Sequence, residues 1–246
     1  MHNQMSSAPQ STTMTSPPQA SKMSEVMDTV YLSVDTNRRP SASLARYEFA
    51  KRIFDVVVTL GLLICSAPVM FLIALLVKVT SPGPIIFRQK RVGKDGREFW
   101  FYKFRSMVVH NENHRAELSA LNQHGHTGVT FKMKNDPRIT KVGRVIRKTS
   151  LDELPQLWNV LMGDMSLVGP RPALPAEVAR YTPEQRRRLA VTPGLTCFWQ
   201  IAGRANIPFE EQVRLDLEYI ACRTLWVDAS LLVKTVPALI SGKGAY

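Results

Sequence analysis

From Ile53 to Val77 the chain is almost continuously apolar, interrupted only by Asp55, Thr59 and the run Cys65-Ser66-Ala67-Pro68. About 20 helical residues cross the hydrocarbon core of a bilayer, so this stretch is long enough to span one. A buried helix of a soluble protein fits less well, because such helices are rarely apolar on every face over this length. Pro68 removes a backbone donor near the centre and kinks the helix, and Ser66 can satisfy a carbonyl that is released there. Lys51 and Arg52 precede the run and Lys78, Arg88, Lys90 and Arg91 follow it, so charge marks neither flank as translocated. The pattern predicts a re-entrant membrane helix hairpin broken at Ser66 and Pro68, with both basic flanks on anionic headgroups. A straight transmembrane helix that tolerates its proline is the alternative.

Beyond Ser81-Pro82-Gly83-Pro84, two β-rich runs, Ile85 to Val92 and Glu98 to Phe104, flank Lys94-Asp95-Gly96, which predicts a small β-hairpin. Residues 108 to 130 read as a polar helix and loop without chemistry. Asn135-Asp136-Pro137-Arg138 breaks the chain ahead of a helix over Ile139 to Arg147. Phe209 to Ala221 is amphipathic, while Leu225 to Ile240 is more apolar and suits either an interfacial helix or a core helix. The expected fold is α+β and mostly helical, with a disordered tail over 1–48, the re-entrant helix over 49–80 and one further domain over 81–246. The tail is rich in Ser, Thr, Met, Gln and Pro and has no apolar core like that of a signal peptide.

Charge narrows the partners. The net charge is +12, and residues 1–48 hold four cations and four acids, so the whole excess lies beyond the tail. Such a surplus points to nucleic acid, an anionic lipid surface or a phosphorylated substrate. Cys65, Cys197 and Cys222 lie far apart and outside any Cys-x-x-Cys pattern, which argues for a reducing compartment. His110 and His114 are four apart, but Glu112 is not where a His-Glu-x-x-His zinc motif places its glutamate.

The chemistry concentrates in Thr149-Ser150-Leu151-Asp152-Glu153-Leu154-Pro155-Gln156-Leu157 and in the run Gly163 to Pro172. Ser150 with Glu153 predicts a capping box, which puts Asp152 in the first turn of a helix, where the dipole favours a carboxylate and draws phosphate. The plainer reading is an ordinary helix start. Arg144, Arg147, Lys148 and Arg171 surround the pair in sequence, more cations than a cap needs. Lys103 and Arg105 leave the second strand either as a solvated edge or as contacts to an anion. Arg204, in the loop after Trp199, is either solvated or functional.

Taken together, these segments resemble the bacterial sugar transferases, the monotopic polyprenyl-phosphate phosphoglycosyl transferases. The resemblance covers residues 47–246. It is carried by Lys51-Arg52-Ile53-Phe54-Asp55, the Pro68 break, Tyr102-Lys103-Phe104-Arg105-Ser106-Met107, Ser150 to Leu157, Gly163 to Pro172 and Gly244-Ala245-Tyr246. It implies an enzyme that moves a sugar 1-phosphate from a UDP-sugar to undecaprenyl phosphate at the cytoplasmic face of the bacterial inner membrane, initiating exopolysaccharide or other surface glycan synthesis. By position, Asp152 would be the nucleophile that becomes a phosphoglycosyl-aspartate. Mg2+ would bridge Asp152 and the diphosphate, with Glu153 contributing. Arg147 and Arg171 would hold phosphate, Lys103 would support the acidic pair, and Arg204 would contact the nucleotide sugar. Membrane lipid and downstream glycosyltransferases are the further partners implied, and nucleic acid is not. The chain departs from the family at Cys197, often glycine, and at Ala205, which separates Arg204 from Asn206. It is expected to be the minimal catalytic form of the family. The rival readings are a catalytically silent membrane scaffold for a glycan assembly complex and a basic protein that binds lipid surfaces or nucleic acid.

Overall fold

The computed structural model describes residues 41–108, 136–203 and 207–241. The expected tail up to residue 40, the polar stretch with His110, Glu112 and His114, Arg204 and the closing Gly244-Ala245-Tyr246 lie outside the described residues.

Helix α1, Ser41–Thr80, runs without interruption through Pro68. It starts eight residues ahead of the expected boundary at 49, because Tyr47 is buried against the rest of the protein and carries the helix back with it. Its buried positions form one stripe: Tyr47, Lys51, Asp55 and Thr59 at intervals of four, then the half-buried Leu63, Ser66 and Met70, then Ile73 and Val77. The other faces expose Phe49, Ile53, Val57, Ile64, Phe71, Leu72, Leu75 and Val79. This reverses the pattern of a soluble surface helix, with polar side chains turned to protein and apolar ones turned out. By length and composition the helix could cross a membrane. The Ser66 hydroxyl contacts Met70 Sδ at 3.5 Å, a sulfur partner rather than the expected carbonyl.

Apart from Thr59, whose buried hydroxyl has no hydrogen-bond partner among the described residues, the polar residues at this end of α1 are satisfied from three directions. Asp228 accepts from Lys51 Nζ at 2.8 Å, from the Tyr47 hydroxyl at 2.9 Å and from the Tyr219 hydroxyl at 2.8 Å. Asp55 Oδ1 accepts the Leu167 N–H at 3.1 Å. Arg52 donates to the carbonyls of Val160 at 2.5 Å and Leu161 at 2.7 Å. Lys51 and Arg52 are therefore turned into the protein instead of lying on headgroups, since the carboxylate and the carbonyls they meet are fixed acceptors away from water. At the other end, Ile73 and Val77 pack with Phe104 and Ile146, flanked by Leu151 and Leu154. Arg105 is drawn there too, donating to Ser81 O at 2.6 Å and Ser81 Oγ at 2.9 Å, and so takes no part in the anion contact weighed for it.

The hairpin forms as expected from β1, Ile86–Val92, and β2, Glu98–Phe104, paired from Ile86↔Phe104 to Val92↔Glu98. Asp95 at φ 55° and Gly96 at φ 80° supply the left-handed pair that matches strand twist. Helix α2, Lys141–Lys148, starts at Thr140, whose hydroxyl accepts the Gly143 N–H at 2.8 Å. A 3-10 turn, Leu151–Glu153, and α3, Gln156–Met162, lead into β3, Ser166–Val168. Short helices α4, Pro175–Val178, and α5, Pro183–Arg186, precede β4, Gly194–Thr196, which pairs parallel with β3. Helices α6, Phe198–Ala202, α7, Phe209–Cys222, and α8, Leu225–Ser241, complete the described chain. The class is the α+β, mostly helical one expected. Helix α8 combines the two roles weighed for it: Val227, Asp228 and Leu231 are buried, while Leu225, Trp226, Val233 and Val236 face outward.

Removing one partner of a buried ion pair costs about 3–5 kcal/mol, and an exposed pair is worth less than about 1 kcal/mol. Lys51→Met should therefore lower the Tm of the detergent-solubilised protein markedly, while Lys90→Met, which breaks the exposed pair with Glu98, should leave it nearly unchanged.

Candidate active site

The end of α2 decides where the acidic pair points. Ser150 adopts a left-handed backbone, φ 57°, and its carbonyl accepts the Glu153 N–H at 3.1 Å, closing a 3-10 turn. Its own N–H is already given to Arg147 O at 3.1 Å. The expected capping box therefore does not form, because the backbone N–H that Glu153 would reach back to is engaged and the Ser150 side chain caps no backbone N–H. Asp152 sits in this tight turn ahead of Pro155, rather than in the first turn of an α-helix.

Helix α3 is stitched to the edge of β2 by Asn159, which donates to Trp100 O at 2.7 Å and accepts the Tyr102 N–H at 3.3 Å. That registers Lys103 over the acidic pair. Lys103 Nζ lies 2.6 Å from Glu153 Oε1 and 3.4 Å from Asp152 Oδ2, and Arg171 Nη2 lies 2.8 Å from the same Glu153 oxygen. Arg171 reaches the site from the loop after β3. Backbone contact sets that loop: a Cβ on Gly194 would fall 2.0 Å from Gly169 N. The approach lets Gly169 N donate to Thr196 O and Gly194 N to Pro170 O, both at 2.9 Å. With its amide oxygen turned to the loop, Gln200 meets Arg171 Nη1 at 3.1 Å.

The two carboxylates are shifted in opposite directions. Burial alone would raise Glu153, but the charges of Arg171 and Lys103 outweigh it and hold the group well below the usual carboxylate range. Burial raises Asp152 and the neighbouring Glu153 charge adds to this, with Lys103 and Arg147 only partly opposing. Two adjacent acids with divergent environments suit divergent roles.

The structure thus brings Lys103, Asp152, Glu153 and Arg171 into direct contact and puts Arg147 within electrostatic reach of Asp152. Arg91 escaped the sequence reading, which placed it in a basic flank. It donates to Pro172 O at 3.1 Å and lies 5.3 Å from the Phe101 ring centroid, while Lys103 lies 5.7 Å from the same ring. Burial, and then the like charge of Arg171, push Arg91 down to about 10. Hairpin register was the available signal, since pairing Gln89 with Phe101 puts Gln89, Arg91, Phe101 and Lys103 on one face. Gln156, at the start of α3, was not assigned a role by the sequence reading: it is buried with neither amide atom hydrogen-bonded.

Among the described residues no group of three or more His, Cys, Asp or Glu could hold a metal ion. Magnesium, however, takes only one or two carboxylates where phosphates and water complete its shell. The pair can offer that much, principally from Asp152, since two cations already hold Glu153 Oε1.

Residues 46–242 match the family model described as bacterial sugar transferase. The chain is 49% identical over 198 residues to the galactosyl transferase CpsE of Streptococcus agalactiae, covering 80% of this chain and 43% of that one. It is 47% identical over 201 residues to the undecaprenyl-phosphate galactose phosphotransferase of Salmonella typhimurium, covering 80% and 42%. It is 38% identical over 199 residues to the exopolysaccharide production protein ExoY of Rhizobium meliloti, covering 80% and 88%. The chain thus spans less than half the length of the first two relatives and most of the third.

The opposed shifts predict opposite mutant stabilities. A depressed folded-state pKa stabilises above the unfolded value of about 4.3 and loses that contribution as pH falls, so Glu153→Gln should unfold below wild type at pH 7 and converge with it in acid. A raised pKa means that ionisation of Asp152 costs stability, so Asp152→Asn should melt above wild type at pH 7, with the gain vanishing once acid protonates the native residue. Thermal unfolding between pH 7 and about pH 4 reads the fading Asp152 gain, and its extension well below about pH 4 reads the Glu153 convergence.

Proposed function

The chain belongs to the bacterial sugar transferase family, and from that premise we propose that it transfers a sugar 1-phosphate from a UDP-sugar to undecaprenyl phosphate. The observation that carries this reading is the unequal sharing of cations. Lys103 and Arg171 both close on Glu153, which leaves Asp152 as the buried carboxylate less tightly held. Desolvation raises the energy of its ionised form, and an ionised, weakly solvated carboxylate is a competent nucleophile. Asp152 attacks the β-phosphorus, the bond from that phosphorus to the bridging oxygen breaks, and UMP leaves with the oxygen. The phosphate of the lipid then attacks the aspartyl-bound phosphorus and restores the carboxylate. Arg171, Lys103 and Arg147 face the charge that spreads over the phosphoryl oxygens, and Arg204 takes the nucleotide sugar. A magnesium ion held by Asp152, with substrate phosphates and water, would reduce repulsion between carboxylate and diphosphate.

The membrane reading has its own support. One body grips α1 at both ends, through Tyr47, Lys51 and Asp55 and through Ile73, Val77 and Ser81. A straight helix through about 30 Å of hydrocarbon would separate those ends by the whole bilayer. A re-entrant α1, with the exposed centre around Ser66 and Pro68 immersed, keeps them on one face. That face is the cytoplasmic side of the inner membrane, where UDP-sugars are found. The names of two relatives carry galactose, which makes it the first sugar to test, and the name ExoY points to exopolysaccharide, whose chain downstream glycosyltransferases would extend.

Detergent-purified full chain with undecaprenyl phosphate and magnesium should release UMP from one of UDP-galactose, UDP-glucose or UDP-N-acetylgalactosamine. Asp152→Asn should lose at least about a thousandfold in turnover and stay in the membrane fraction. Release by the mutant at the wild-type rate would overturn the aspartyl route, and a wild type silent with every donor would favour the scaffold reading. Arg204→Ala should raise KM for the nucleotide sugar about tenfold or more, through loss of a charged contact.

A further inference from the structure

The Lys51-Arg52-Ile53-Phe54-Asp55 segment marks the resemblance, yet none of it touches the acidic pair. Lys51 is accounted for by Asp228. Arg52 and Asp55 are not, and both point to one short piece of chain. The two Arg52 amino groups hold Val160 O and Leu161 O at 2.5 and 2.7 Å, at the C-terminal end of α3. Guanidinium there binds the carbonyls of the last turn, Val160 O in addition to the Gly163 N–H that it already accepts. Asp55 Oδ1 holds Leu167 N at 3.1 Å in β3, and the Ser166 hydroxyl faces the same carboxylate. Between them the chain reverses at Gly163, φ 89°, whose Cβ position lies 3.7 Å from the Arg52 guanidinium.

This piece joins the two halves of the site. Going back along α3 leads to Pro155, Glu153 and Asp152, and going forward through β3 leads to Gly169, Pro170 and Arg171. The open ends meet again at the Glu153–Arg171 pair, 2.8 Å. We propose that Arg52 and Asp55 are positioning residues, which clamp the α3–β3 reversal to the membrane helix and so set the placement of Arg171 against Asp152 and Glu153. The separation of the grips supports this, because side chains three apart on a helix project from one face and move as a unit. Asp55 supplies an acceptor to a strand amide that β4 does not pair. The β3–β4 ladder runs through Ser166↔Gly194 and Val168↔Thr196, and Leu167 faces the other way. The clamp thus holds β3 from α1 on one edge while β4 holds it on the other.

The catalytic half of this inference rests on the transferase reading, whereas the clamp itself does not, and the test separates them. In the full chain, Asp55→Ala should lower kcat for UMP release about 10- to 100-fold, because a shift of about 1 Å in a charge-bearing loop is enough for that loss. KM for the UDP-sugar should stay within about threefold, since Arg171 acts on the charge that spreads in the transition state and the clamp carries none of the other donor contacts. Asp55→Asn keeps an oxygen for Leu167 N–H and should recover to within about threefold of wild type. Hydrogen exchange on the same proteins reads the clamp without turnover: Asp55→Ala should increase exchange over residues 163–173 and leave the β1–β2 hairpin as in wild type, and Arg52→Ala should do so over 156–163. Wild-type kcat in Asp55→Ala, an Asp55→Asn variant as slow as the alanine one, or exchange raised equally across hairpin and clamp would each overturn the proposal. A wild type that releases no UMP would defeat the transferase reading alone, and the exchange data would still decide the clamp.

Discussion

A helix with apolar side chains on the outside must put its few polar groups against protein, and the arrangement of this chain follows from that need. Lys51, Asp55, Tyr47 and Arg52 lie on the protein-facing side of an otherwise apolar helix, and the rest of the fold delivers an acceptor or donor to each. Asp228 comes from α8, the Leu167 amide from β3 and two carbonyls from α3. Three elements distant in sequence are thereby ordered around the first turns of α1. The other end is organised by packing, with Ile73 and Val77 in the same cluster as Phe104 and Ile146, directly beneath the turn that bears the acidic pair.

The site inherits its asymmetry from this frame. Lys103 is placed by the pairing of β2 with Asn159, Arg171 by the glycine contact between β3 and β4, and both arrive at the same oxygen of Glu153. Asp152, one residue earlier in a tight turn, is left with the longer contact, and the cations do not outweigh its burial as they do for Glu153. Adjacent residues of the same charge are therefore made electrostatically unlike, one as an anchor for cations and one as a strained anion. The left-handed backbone at Ser150 belongs to this design, since such a conformation in a non-glycine residue costs of order 1–2 kcal/mol and persists only where its surroundings enforce it.

Periodicity made the hairpin, the apolar helix and the two closing helices legible, because each depends on residues close in sequence. The acidic pair and its cations stood out as well, through the density of charge between Lys103 and Arg171. Cap chemistry at Ser150 was misread, since whether a serine caps depends on its backbone angle and on its own N–H, and the preceding helix had already engaged that group. The basic residues before the apolar run were misassigned for a related reason. Lys51 and Arg52 resemble headgroup contacts until their acceptors, more than a hundred residues away, are known. Arg91 and Gln156 became visible only with strand register and burial in hand.

The bond between Lys51 and Asp228 joins residues 177 apart. A ribosome adding about 5–20 residues per second needs roughly 10–35 s to make that much chain. For all of that interval Lys51 lacks its buried acceptor, although Asp55 gains the Leu167 N–H once β3 has been made. Burial of that lysine against the protein can therefore come only after α8 has been made. Docking of the first turns of α1 is then a late act of folding rather than the first, and a chain cut short before Asp228 would keep Lys51 as an unmatched charge on an otherwise apolar helix.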